Sequence, residues 1–240
     1  MSSLETALLN ALTDGPATGP ELMASTGISQ ATLSRTLAAL RRTDRVLKVG
    51  AARNTRYALR REIASAGSAW PIFQVGEAGG VQEIGRLHAL RPRHYCLTSD
   101  KPALAGVTDY LPYCLQDQRP SGFLGRCVPT RWPELALPPR ALDWSDDHYL
   151  TYLTRRGFDT VSDLIVGTEA LDRYLDSNSS QPVIAPSQRD AEYPVLAETA
   201  MGGQLAGSSA HGEHPKFTAV IELGSTISHV IVKFSPLRTT

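Results

Sequence analysis

The sequence predicts an α+β chain that opens with three helices and a hairpin and closes on a glycine-rich loop between strands. Three patterns carry that expectation. Leucines recur at helical spacing through residues 3–43, apolar residues alternate on either side of a turn at 46–59, and Gly and Ser concentrate at 202–212 ahead of two β-branched runs. A length of 240 residues fits one large domain or two to three small ones. With 42% hydrophobic and 20% charged residues, the composition excludes a disordered tail, a collagen-like fibre and a coiled coil.

The first helix is expected over residues 3–14, capped by Ser3, with Leu4, Leu8, Leu9 and Leu12 on one face. Asp14-Gly15-Pro16 ends it. Pro20 to Thr26 reads as a second, short helix, and Gly27 suits a left-handed turn position. Ser29 caps a third helix from Gln30 to about Thr43, with Leu33, Leu37 and Leu40 as its buried stripe. Val46–Val49, a turn over 50–54 and Thr55–Leu59 complete a β-hairpin. Three helices followed by a hairpin make a winged helix-turn-helix, and the segment resembles the winged-helix domains of bacterial transcriptional regulators.

The charge distribution points the same way. Residues 1–61 hold nine Lys/Arg against four Asp/Glu, a net of +5, while the other 179 residues hold 15 bases and 20 acids, a net of −5. A basic head on a mildly acidic body implies a polyanion partner, here double-stranded DNA. Ser29, Gln30, Thr32 and Arg35 lie near the start of the third helix, where short polar side chains and Arg reach base edges in a major groove. Lys48, Arg53 and Arg56 lie on the hairpin, with Arg53 at its tip for phosphate or minor-groove contact.

Strands are expected at 70–75 and 81–90 around a turn at 76–80, and a third at 94–97. Residues 101–140, rich in Pro and Gly with short apolar pieces, imply loops and few long elements. A helix opens at Asp143, with acids at its start, Arg155 and Arg156 at its end and Gly157 after it. Another runs from about Thr168 to Leu175, and Ser177–Arg189 reads as an exposed loop. His148 beside Asp146 and Asp147 reads as a helix first turn rather than a catalytic or metal group. Cys96, Cys114 and Cys127 form neither a disulfide framework nor a zinc pattern. No apolar run reaches the roughly 18 residues of a membrane span, and residues 1–5 lack a secretory signal. The reading is cytoplasmic, reduced, metal-free and without a membrane partner.

Past Met201 a Gly/Ser-rich loop runs into a strand at 216–221, a turn at 223–226 and a second strand at 227–234. Small residues let backbone N–H groups approach phosphate oxygens, and a strand lysine supplies a point charge. The Gly-Lys-Ser/Thr of a Walker A motif is absent.

Ser209-x-x-Gly212-x-His214-x-Lys216, followed by the strand ending in Lys233, resembles the HipA-family serine/threonine kinases of toxin–antitoxin pairs. Leu111-Pro112-Tyr113, Ser121–Arg126 and the helix from Asp143 also look like that family's N-terminal subdomain, and the fused winged helix is similar to its YjjJ-like branch. The resemblance implies ATP and Mg²⁺ as cofactors. It implies an ATP loop of Ser208, Ser209, Ala210, His211 and Gly212 with Lys216 and Lys233, and Ser209 as the site of regulatory autophosphorylation. His214 stands where the family carries Gln.

The family's catalytic and Mg²⁺-binding aspartates lie in a C-terminal lobe, whereas the last aspartate here is Asp190. The chain therefore reads as the N-terminal half of such a kinase, without catalysis of its own, Mg²⁺ ligands or catalytic residues. An antitoxin or a separate kinase lobe is its expected protein partner. The expected boundaries are 1–61 for the winged helix, 62–192 for the kinase-like N-terminal subdomain and 193–240 for the start of the kinase core. Without its lobe, the last forty residues would be the least stable, with Val220, Ile221, Val230, Ile231 and Val232 bare on at least one side.

Two alternatives stand beside this reading. A winged-helix repressor with a sugar-kinase-like fold rests on Ala219–Val232, which mimics that fold's phosphate hairpin. A protein-interaction module rests on the β-rich middle.

Overall fold

The computed structural model describes residues 3–77, 79–180, 182–202, 212 and 214–235. The chain forms two compact units, Met1–Ile72 with Glu83–Cys114 and Phe73–Gln82 with Leu115–Thr240.

The first unit starts with α1 (Ser3–Ala11), β1 (Ala17–Thr18), α2 (Gly19–Thr26), α3 (Gln30–Arg42), β2 (Val46–Val49) and β3 (Arg56–Leu59). Leu8, Leu9, Leu12, Leu22, Leu33, Leu37, Leu40 and Val46 share one buried core. Each such side chain contributes about 1.5–3 kcal/mol, so the leucine spacing is what holds the three helices together. α1 stops three residues short of the expected end. Strand β1 was not expected: Ala17 and Thr18 pair antiparallel with Tyr57 and Arg56, giving the order β1-β3-β2. Two residues are too few to show alternation.

The hairpin has two working faces. Val46, Tyr57 and Leu59 pack on the helices, while Leu47, Val49 and Ala58 pack on Leu90 and Cys96. Those last two belong to β5 (Val81–Leu90) and β6 (His94–Ser99), which pair antiparallel with Leu87 opposite Leu97. A short β7 (Gly106–Thr108) extends the sheet from β6. Chain β3 runs directly onto β5: Arg60 bridges Leu90, the Arg61 N–H donates to Ala89 O at 2.9 Å and the Arg91 N–H to Leu59 O at 2.8 Å. Arg61 is buried, its guanidinium 5.7 Å from the Tyr95 ring centre. The preceding strand β4 (Ala69–Val75) begins in this unit, where Trp70 Nε1 donates to Ala66 O at 2.6 Å.

The second unit corrects two expectations. Residues 101–140 hold few long elements, as expected, though α4 (Tyr113–Gln116) and α5 (Gly122–Arg131) lie among their loops. Their Gly and Pro content reads as breakers, but Gly125 is required by packing, since a Cβ there would lie 2.5 Å from the Pro120 carbonyl carbon. The helix expected to open at Asp143 is α6 (Asp146–Arg156), capped by Ser145. Ser177–Arg189 is not a loop either. Helix α7 (Thr168–Ser180) continues through its start, β9 (Val183–Ile184) pairs parallel with Val220 and Ile221, and α8 (Arg189–Met201) follows. Strand β8 (Leu164–Val166) lies between α6 and α7 in sequence.

Strands β10 (Lys216–Leu223) and β11 (Thr226–Lys233) form the expected final hairpin, in the order β11-β10-β9. The expected bareness of Val220 and Ile221 is wrong: both are buried, with β9 flanking β10 beside them and α8 covering the Ile221 face. Phe217 is fully buried, edge-on to Tyr193 of α8 with ring centres 5.5 Å apart. Val230 and Val232 are half-buried on the same core, whereas Ile227 and Ile231 are exposed.

Candidate nucleic-acid interface and phosphate loop

The helix-turn-helix is set by its caps. The Thr18 side chain accepts from the Glu21 N–H, and Glu21 Oε2 accepts from the Thr18 N–H at 2.7 Å and its hydroxyl at 2.8 Å. These bonds, backbone first, hold the Glu21 carboxyl below its usual range, with Arg56 adding to the effect. Gly27 ends α2 at φ 68° and its N–H reaches Met23 O at 2.9 Å. The Ser29 hydroxyl then accepts from the Thr32 N–H and lies 3.0 Å from the Thr32 hydroxyl. Both hydroxyls therefore already act at the start of α3.

Gln30 and Arg35 are exposed, Arg35 with Nε on Ala31 O at 3.4 Å, and Thr32 is half-buried. The stripe most fully turned from the leucine core is Ala31, Arg35, Ala38 and Arg42, all exposed at spacings of four, three and four. Arg42 is the side chain that the sequence reading passed over. Its i, i+7 relation to Arg35 was the available signal.

On the hairpin, Lys48, Arg53 and Arg56 are all exposed. They do not share a face. Lys48 pairs with Tyr57 and so projects from the helix-packed side, while Arg56 pairs with Val49 on the opposite side. Arg53 sits in the 3-10 turn Ala52–Asn54 between the strands. Gly50, at φ 74°, makes this turn possible, because a Cβ would meet Asn54 O at 2.3 Å.

In the second unit, the described end of the glycine-rich loop is held in place. Gly212 O accepts from the Phe123 N–H at 3.1 Å and from Lys216 Nζ at 3.0 Å. Gly122 lies beside it at φ 62°, where a Cβ would be 2.5 Å from that same oxygen. Lys216 is buried and stands opposite the exposed Lys233 in the ladder. Ser208, Ser209, Ala210 and His211 lie outside the described residues. Ser121–Phe123, the loop's seat, went unrecognised because nothing local links residue 122 to residue 212.

The remaining chemistry-bearing residues are structural. His148 accepts from the Ser145 N–H through Nδ1 at 3.2 Å, closing the α6 cap, and Asp146 pairs with Arg119. Burial pushes the Cys96 thiol up to about 11 and raises Cys114 and Cys127 as well. Among the described residues, no group of three or more His, Cys, Asp or Glu could hold a metal ion. Nor is any described helix long and apolar enough to cross a membrane.

Residues 66–175 match the family model of the YjjJ-like toxin middle domain. Residues 6–44 match that of bacterial regulatory proteins of the arsR family, a span that takes in most of α1 and all of α2 and α3. The chain is 34% identical over 235 residues to Toxin YjjJ of Escherichia coli strain K12, an alignment covering 97% of this chain and 52% of that protein. It thus spans about half the length of this curated relative. No solved structure matches. Residues 6–44 are thus similar to an arsR-type helix-turn-helix and residues 66–175 to a YjjJ-like toxin middle domain, in a mixed α/β fold.

Proposed function

We propose that the chain is the DNA-binding portion of a toxin–antitoxin protein, gripping duplex DNA through α3 and the hairpin. The observation that carries this is the exposed Arg35–Arg42 stripe on a capped helix-turn-helix with Arg53 at the tip of a basic wing. The likeness to a YjjJ toxin supports the toxin assignment, and with it an antitoxin as partner. Fluorescence anisotropy with a panel of labelled duplexes tests it. Arg53→Ala weakens all sequences alike, as loss of a phosphate contact does, while Arg35→Ala flattens discrimination among them. Equal affinity of both variants and the parent for every duplex would refute the assignment.

The glycine-rich segment serves as a nucleotide phosphate loop of the HipA-like kinase type. The close backbone approach of Gly122 to Gly212, and the exposed Lys233 opposite Lys216 in the ladder, support that reading. ATP supplies a transferable phosphoryl group when bound. Lys216 holds the loop's end through Gly212 O, and Lys233 offers a charge to the phosphates. Ser209 is the residue such a kinase phosphorylates on itself. Equilibrium dialysis with ATP reads binding without turnover, and Lys233→Ala should weaken it.

A further inference from the structure

We propose that a cleft at the root of the hairpin binds a small phosphate-bearing anion, separately from the duplex-facing surface. The cleft is about 330 Å³ and lies wholly within the first unit. Arg45 reaches it from beyond the C-terminal end of α3, Arg60 from the end of β3 and Arg91 from the end of β5, with Ser68 as a neutral hydroxyl between them.

Arg60 is the telling residue. Its side chain is only 17% exposed, and its Nε is buried with no hydrogen-bond partner among the described residues. Its ion-pair partner, Asp44 at 3.3 Å, is 80% exposed. A contact to so exposed a carboxylate is weak and screened by solvent, so a doubly charged oxyanion displaces it readily. The planar guanidinium offers two parallel N–H donors, the geometry that phosphate accepts best. Asp44 and Glu62 also line the cleft and leave three cations against two acids, a balance suited to one small anion rather than a polyanion. Buried His88 senses the same field: burial first, then Arg60 and Arg86, push its imidazole down to about 4.

The position separates this cleft from the duplex surface. Arg45 follows the far end of α3 from Gln30, roughly 20 Å along the helix axis. Arg60 follows the end of β3 remote from the Arg53 turn. Because β3 threads onto β5 there, an anion held by Arg60 and Arg91 braces the hairpin against the sheet behind it.

Calorimetric titration of the full chain with inorganic phosphate and then pyrophosphate, at constant ionic strength and without DNA, is the test. Saturable binding is expected, weakened about tenfold in Arg91→Gln, as loss of one charge-assisted contact implies. The Arg91 side chain is exposed, so this variant keeps the fold, and Arg60→Gln should weaken binding further. Duplex affinity of Arg91→Gln in phosphate-free buffer is expected to match the parent. Absence of saturable binding would overturn the proposal. So would a parallel loss of duplex affinity, which would assign these guanidiniums to the DNA backbone.

Discussion

His88, buried on β5, makes the first unit sensitive to acid. Its imidazole is pushed from 6.5 down to about 4, mainly by burial. Below pH 6.5 the unfolded chain takes up a proton that the folded chain refuses, so the stabilisation present above 6.5 is lost as pH falls towards 4. The full span is about 3 kcal/mol. Asp159 in the second unit runs the other way, since burial raises its carboxyl to about 6 and acid relieves that cost. Urea unfolding at pH 7.5 and 4.5 should therefore show a smaller loss of stability on acidification in His88→Gln than in the parent. An identical pH dependence would contradict this environment for His88. At Gly122, alanine meets both a left-handed φ of 62° and the Gly212 carbonyl. The conformation alone costs about 1–2 kcal/mol, so Gly122→Ala should lower the urea midpoint and also weaken ATP binding. At this scale the caps Ser29 and Gly27 were legible, because each acts on a neighbour within four residues. The contact of Phe123 with Gly212 was not, since it joins residues 89 apart in sequence.

Among the elements, α1, α2, α3 and the β2–β3 hairpin could be read from the sequence because leucine period and turn chemistry agree there. Helices α5 and α8 could not. Pro129 and Pro194 lie inside them, and tertiary packing overrides a propensity that reads as loop. Helix α8 has the larger consequence, because it covers β10 and turns an expected bare sheet into a core around Phe217. Phe217→Ala removes a fully buried ring and should cost about 3–5 kcal/mol. Limited trypsin digestion followed by mass spectrometry is expected to show the last forty residues cut early in this variant and residues 6–44 still protected. Equal protection of the last forty residues in variant and parent would mean that Phe217 does not anchor them. The ion pair of Arg156 with Glu169 at 2.6 Å similarly pins α6 to α7, and that with Glu134, also at 2.6 Å, ties α6 to the 3-10 turn Pro133–Leu135, in a way that no local pattern announces.

In the whole molecule, function follows from where charge is placed. A chain of zero net charge carries +5 in its first 61 residues, and α3 and the hairpin hold Arg35, Arg41, Arg42, Lys48, Arg53 and Arg56 on exposed side chains, while Arg61 is buried. The basic head was legible because composition alone reveals it. Its division between a duplex face and a cleft at the hairpin root was not, since Arg53 and Arg60 differ only in which end of β3 they occupy. The hairpin is also no free appendage: its inner face is buried on β5 and β6, so the wing is fixed to the sheet behind it. The most direct measurement is the salt dependence of duplex affinity for the full chain. Each phosphate neutralised by an exposed cation of α3 or the hairpin adds about −0.9 to the slope of log K against log salt. Arg53→Ala should reduce it by about 0.9. A duplex affinity that stays constant as salt rises would contradict the account.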